Sequence, residues 1–144
     1  MRVALFGLSG NPPTGESGHR GIVKVLVQTH NFDEIWILPV YNHFFTKKLI
    51  PFNHRMELCQ RNFQDLSQPW CEVKVLPTEA EVCTELAPGV RPGTIDTIEF
   101  INNRSPVLLD ISLVLGKDTF LDLINKKWKE SDRWVNFHVC LVNL

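Results

Sequence analysis

The run Gly7-Leu8-Ser9-Gly10-Asn11-Pro12-Pro13-Thr14-Gly15-Glu16-Ser17-Gly18-His19 follows a short apolar stretch, Arg2–Gly7. It leads into Gly18–His30, where Ile22, Val23, Leu26 and Val27 recur at helical spacing. An apolar strand, a glycine-rich turn and an amphipathic helix in that order open a β–α unit. A junction of this kind is expected to present free amide N–H groups of the helix start to an anion. Two familiar phosphate-binding patterns fit it poorly. Gly10–Ser17 has the glycine spacing of a Walker A loop, but Glu16 stands where the phosphate-contacting lysine belongs, and Pro12 and Pro13 remove two N–H donors. The glycines also miss the G-x-G-x-x-G spacing of a dinucleotide fingerprint.

Outward from this loop the alternation continues. Glu34–Pro39 (EIWILP) reads as a second strand, and Tyr41–Pro51 as a loop carrying Lys47 and Lys48. Phe52–Leu66 places Phe52, Met56, Cys59, Phe63 and Leu66 on one helical face. Glu72–Leu76 alternates like a strand, Pro77–Gly93 reads as a proline-punctuated loop, and Thr94–Asn103 as a helix. Asp110–Gly116 predicts a strand, Asp118–Asn125 a short helix, and Trp134–Val142 a last strand. Strands alternating with helices predict right-handed crossovers and an α/β fold, a Rossmann-like parallel sheet with flanking helices. The chain shows no repeat, low-complexity tract or linker, so residues 1–144 read as a single domain. Ligands of such sheets bind at the carboxyl ends of the strands, here the loops after Phe6, Leu38, Leu76 and Leu115.

Composition narrows the function. Hydrophobic residues make up 44% and charged residues 22%, with a formal net charge of -1. That balance argues against duplex nucleic acid as the main partner, which calls for a broad basic face. A small phosphate-bearing ligand needs only a local group of cations. No apolar run approaches the ~20 residues of a membrane span, and Asn11-Pro12-Pro13 cuts the N-terminal apolar stretch short of a secretory signal. The expected location is intracellular, cytoplasmic or nuclear. Cys59, Cys71, Cys83 and Cys140 form no CxxC pair, so they read as small packing residues rather than a zinc site.

Taken singly, the polar residues have ordinary explanations. Lys47 and Lys48 suit a solvated loop, Arg55 a helix surface, and Trp36 and Trp128 packing. Thr94 and Thr97 suit a helix start, and Asp118 suits the first turn of a helix through its dipole.

Together they resemble a family. The first loop is similar to the G-x-x-x-x-P-x-[HT]-x-G-H element of the mononucleotide adenylyltransferases, with Gly7, Pro12, Gly18 and His19 in place and Thr14 at the [HT] position. It departs by two extra residues before Gly18. Asp33–Arg55 resembles the family's second strand, lysine-bearing loop and "HR" helix start. Val90–Asn102 resembles its T-x-x-T segment, and Leu113–Trp128 its "GxD … W" stretch. The order is the family's, across roughly residues 2–134. The best match is to the nicotinamide/nicotinate mononucleotide branch.

The resemblance implies transfer of an adenylyl group from ATP to a pyridine mononucleotide, forming a dinucleotide and pyrophosphate in NAD biosynthesis. It implies catalytic roles for His19, Thr14, Lys47 and Lys48. Gly7, Leu8, Ser9, Gly18, His19, Gly116 and Asp118 would bind ATP, and Arg55, Thr94, Thr97 and Trp128 the mononucleotide. Mg2+ would bridge phosphates and keep most of its waters, with no metal site built from protein side chains. The family also carries an I-S-S-T-x-[IV]-R element after the last strand, and no such element follows Gly116 here. The expectations are therefore a C-terminally truncated domain, weakened catalysis, and homo-oligomerisation through an uncovered face. Two alternatives stay open: a non-catalytic nucleotide-binding isoform, and a nucleotidyltransferase acting on another substrate such as phosphopantetheine or a choline phosphate.

Overall fold

The computed structural model describes residues 1–41, 49–86, 93–125 and 138–142. Strands β1 (Arg2–Leu8), β2 (Glu34–Pro39), β3 (Glu72–Val75), β4 (Asp110–Gly116) and β5 (His138–Val142) form one sheet in the order β3-β2-β1-β4-β5. Every neighbouring pair is parallel. The helices are α1 (His19–Gln28), α2 (Phe52–Phe63), α3 (Thr78–Glu85), α4 (Thr94–Arg104) and α5 (Lys117–Ile124), and a 3-10 turn at Gln64–Leu66 extends α2. The α/β parallel sheet expected from the sequence is the one observed.

The two faces of the sheet are covered by different helices. On one side Ala4, Phe6 and Leu8 of β1 and Ile35 and Ile37 of β2 pack with Ile22, Val23, Leu26 and Val27 of α1 and Cys59 and Phe63 of α2. On the other, Val3 and Leu5 of β1 and Ile111, Leu113 and Leu115 of β4 pack with Ile95, Ile98 and Ile101 of α4. Alternation within β1 thus feeds both cores, because successive strand side chains point to opposite faces. Burial of each such side chain contributes about 1.5–3 kcal/mol.

The segment read as a loop over Pro77–Gly93 contains helix α3, which is a correction. Pro77 stands just before its first turn, Glu79 and Glu81 lie in that turn, and Val82 is buried. Proline is tolerated at a helix start and acidic residues there suit the dipole. Pro88 and Pro92 lie outside the described residues. Helix α5 starts one residue earlier than expected, at Lys117. Of the expected last strand, residues 138–142 are described, and 134–137 lie outside the described residues.

The register leaves the sheet forked. Pairing between β1 and β4 runs from Arg2↔Asp110 to Leu5↔Leu113 and stops. Strand β1 stays with β2 to Leu8↔Pro39, while β4 stays with β5 to Gly116↔Val142. The carboxyl ends of β1 and β4 therefore part at the point where the strand order reverses, the place where such sheets form a ligand crevice.

Candidate active site

The loop after β1 folds back on itself. Thr14 and His19 exchange two hydrogen bonds: the Thr14 amide donates to His19 Nδ1 at 3.0 Å, and the His19 amide donates to Thr14 Oγ1 at 2.7 Å. The His19 ring stands edge-on to Phe6 with centroids 5.8 Å apart. Burial holds the His19 imidazole below its ordinary pKa. A neutral ring that accepts at Nδ1 carries its proton on Nε2, so the tautomer follows from the hydrogen bond. Thr14 Oγ1 likewise accepts one bond and keeps its O–H to donate. The pair presents two hydrogen-bond donors held by one lock.

The same geometry corrects the expectation of free helix-start amides. The His19 amide goes to Thr14 Oγ1, the Arg20 amide to the Thr14 carbonyl at 3.1 Å, and the Gly21 amide to the Gly15 carbonyl at 3.3 Å. The helix start therefore offers side-chain donors rather than a row of vacant N–H groups. Gly18 is required for the lock: a Cβ there would lie 2.1 Å from Thr14 Oγ1. A Cβ on Gly21 would lie 2.0 Å from the Glu16 carbonyl oxygen.

Residues 15–17, which include the two extra positions of the loop, form a turn closed by the Gly18 amide on the Gly15 carbonyl at 2.9 Å. Glu16 is exposed and pairs with Arg20 at 3.0 Å and with Lys24 at 3.7 Å. Arg20 continues to Asp65 at 2.7 Å and to the Asn62 carbonyl at 2.5 Å, and the Asn62 amide donates to the Thr14 carbonyl at 3.0 Å. The end of α2 thus braces the first loop. Arg20 and Asn62 were not singled out in the sequence. Nothing local to either position signals a partner more than 40 residues away.

The other expected residues divide. Gly7 is exposed at the carboxyl end of β1, with only the Leu38 carbonyl near its missing Cβ, at 3.9 Å. Leu8 is buried in the core and its carbonyl accepts from the Val40 amide at 2.9 Å. Ser9 is half-buried and its carbonyl accepts from Arg55 at 2.8 Å. Gly116 ends β4 on the opposite prong, and Asp118 is exposed in the first turn of α5. Thr94 opens α4, whose start is capped by Asp96 reaching back to the Gly93 amide at 2.6 Å. Lys47, Lys48 and Trp128 lie outside the described residues.

Two residues expected at the mononucleotide, Arg55 and Thr97, are buried. Arg55 is 1% exposed, and its guanidinium donates to the carbonyls of Ile50, Ser9, Val40 and Tyr41. Thr97 is also 1% exposed, and its hydroxyl donates to Glu79 on α3 at 3.0 Å. Both side chains are buried and hydrogen-bonded within the protein. Burial, with Asp96 adding to it, pushes the Glu79 carboxyl above its ordinary pKa. Glu79 lay in the segment read as loop, where it had no partner to suggest itself. Among the described residues no group of three or more His, Cys, Asp or Glu could hold a metal ion.

No family model matches the chain. Curated relatives do. A protein named "Probable nicotinate-nucleotide adenylyltransferase" from Myxococcus xanthus (strain DK1622) is 32% identical over 135 residues, covering 92% of this chain and 63% of the relative. One of the same name from Anaeromyxobacter dehalogenans (strain 2CP-C) is 31% identical over 131 residues, covering 91% and 64%. The chain is a homologue of the nicotinate-nucleotide adenylyltransferases. It spans just under two thirds of the length of these relatives. Among solved structures, the Plasmodium falciparum nicotinic acid mononucleotide adenylyltransferase complexed with NaAD superposes with a TM-score of 0.73 at 15% identity, covering 99% of this chain and 75% of that one. The same enzyme complexed with APC gives 0.68 at 17% identity, covering 99% and 74%. At those identities the likeness establishes the nucleotidyltransferase fold.

Proposed function

We propose that this chain transfers the adenylyl group of ATP to a pyridine mononucleotide, releasing pyrophosphate. The Thr14–His19 lock at the mouth of the fork is the observation that carries this reading. The phosphate of the mononucleotide attacks the α-phosphorus in line, a new P–O–P bond forms, and the α–β bridge breaks with its electron pair leaving on pyrophosphate. No covalent enzyme intermediate is needed, so catalysis is positioning and charge stabilisation. His19 Nε2–H and the Thr14 hydroxyl donate to phosphate oxygens as charge builds on them. Gly7 bears no side chain to block the crevice floor. Gly116 and Asp118 on the other prong take the adenosine, with Asp118 accepting from a ribose hydroxyl. Lys47 and Lys48 neutralise the incoming phosphate, and Thr94 and Trp128 face the pyridine ring. Names of the relatives favour nicotinate over nicotinamide as the base. Magnesium would arrive on the triphosphate, since the described residues offer no cage for it. Among the described residues no helix is long and apolar enough to cross a membrane, which suits work in the cell interior where these nucleotides occur.

A second reading, nucleotide binding without turnover, draws support from the α1 amides already satisfied within the loop. One experiment separates the two. Purified chain is mixed with ATP, magnesium and nicotinate or nicotinamide mononucleotide, and pyrophosphate is followed. Release with either mononucleotide supports the transferase. No release, with ATP still raising the melting temperature, supports the binder.

A further inference from the structure

Arg55, at the start of α2, is buried yet has only backbone carbonyls as hydrogen-bond acceptors: Nε donates to Ile50 at 2.7 Å, Nη1 to Ser9 at 2.8 Å and to Val40, and Nη2 to Tyr41 at 3.0 Å. Four of the five N–H donors of a guanidinium are thereby used. Those acceptors come from two places. Ser9 belongs to the first loop, whereas Val40, Tyr41 and Ile50 flank the segment that contains Lys47 and Lys48. Further ties run between the same two stretches: the Ile50 amide donates to Asn11 Oδ1 at 2.9 Å, and the Val40 amide to the Leu8 carbonyl at 2.9 Å. The Phe52 ring lies 5.4 Å from the Arg55 guanidinium and edge-on to Tyr41 at 5.2 Å, closing the cluster.

A cation buried against neutral carbonyls is costly to desolvate, and its hydrogen bonds offset part of that cost. A planar fork with donors in fixed directions can hold several carbonyls in register, which a lysine ammonium on a flexible stem cannot. We infer that Arg55 is a positioning residue that fixes the register between the first loop and both flanks of the lysine-bearing segment. It acts on the adenylyl-transfer site proposed above, on which this inference rests, through the backbone and without touching substrate.

The test is amide hydrogen exchange on the full chain, native and Arg55→Lys, with and without ATP. Without ligand, Arg55→Lys should speed exchange at Val40 and Ile50 together with residues 8–11, leaving β4 unchanged. Acceleration in one stretch alone, or in neither, overturns the inference. With ATP, the native chain should gain protection in both stretches and Arg55→Lys only in residues 8–11; protection of both in the variant overturns it. If ATP protects neither stretch of the native chain, the nucleotide reading fails, and the ligand-free comparison still decides the role of Arg55. Turnover adds an independent measure. A register error of about 1 Å costs on the order of a hundredfold in rate, so kcat should fall by about that much while KM for ATP stays within about threefold. A loss confined to KM overturns the inference. Should Arg55→Lys fail to fold, Arg55→Ala supplemented with methylguanidinium replaces it, and protection must return in both stretches together.

Discussion

At the scale of single residues, Thr14 and His19 form a mutual lock whose two outward donors are set by the two inward acceptors. Removing a donor of this kind costs about a hundred- to a thousandfold in rate. His19→Ala should therefore lower pyrophosphate release by that factor, and a variant turning over at the native rate would exclude His19 from the reaction. Gly18→Ala should be nearly as damaging, since its methyl would displace the Thr14 hydroxyl. A Gly18→Ala chain with native turnover would show that the lock is dispensable. The lock also has a pH dependence. Burial holds the folded pKa of His19 below the ordinary 6.5. The unfolded chain then takes up the proton first, so the stability contributed by neutral His19 is complete above about pH 6.5 and is lost as pH falls toward the folded value. His19→Gln should flatten that part of the melting-temperature profile, and an unchanged slope would remove His19 as its source. Gly18 and His19 were legible from the sequence as motif positions. Their partnership with Thr14 was not, because a sequence motif lists residue types and does not say which atoms they spend on one another.

At the scale of elements, α3 shows where sequence periodicity runs out. Its only fully buried positions are Thr78 and Val82, too few to write an apolar stripe, and tertiary contact with α4 does the rest. That contact includes the Glu79–Thr97 hydrogen bond at 3.0 Å. Burial and Asp96 raise the Glu79 pKa above its ordinary 4.5, with Cys83 the other titratable group beside it. The stability linked to Glu79 is therefore full below about pH 4.5 and declines as pH rises through the higher folded value. Glu79→Gln should raise the melting temperature at pH 8 and leave it nearly unchanged at pH 4; an equal or lower value at pH 8 would contradict that account. The longer, strongly patterned elements were readable in advance. The strands at Glu34–Pro39 and Asp110–Gly116 fall where their apolar runs placed them. Arg55 was placed correctly at a helix start, yet its carbonyl partners lie as far back as Ser9, beyond any local pattern.

At the scale of the whole molecule, the order β3-β2-β1-β4-β5 puts the reversal between β1 and β4, and the candidate site sits there. A parallel sheet was legible from strand–helix alternation, and ligand position from the rule that crevices form at carboxyl ends. The fork was not, because its cause is the register of the strand pairs. Nucleotide bound in the crevice should stabilise the fold by mass action. ATP at about a hundred times its Kd adds about 2.7 kcal/mol, or roughly 5–10 °C in melting temperature for a domain of this size. An unmoved melting curve at saturating ATP would exclude binding to the folded chain.

Since β1 and β4 share ladder pairs only up to Leu5 and Leu113, no hydrogen bond between these strands fixes how far Gly7 stands from Gly116. In the proposed binding mode a nucleotide lodged there would be the keystone of an arch, resting on one half of the sheet through its phosphates and on the other through its adenosine. The span of the arch then belongs to the cargo as much as to the protein. Analogues with a longer or shorter phosphate bridge would open or close it, and the reacting atoms would move with the stonework.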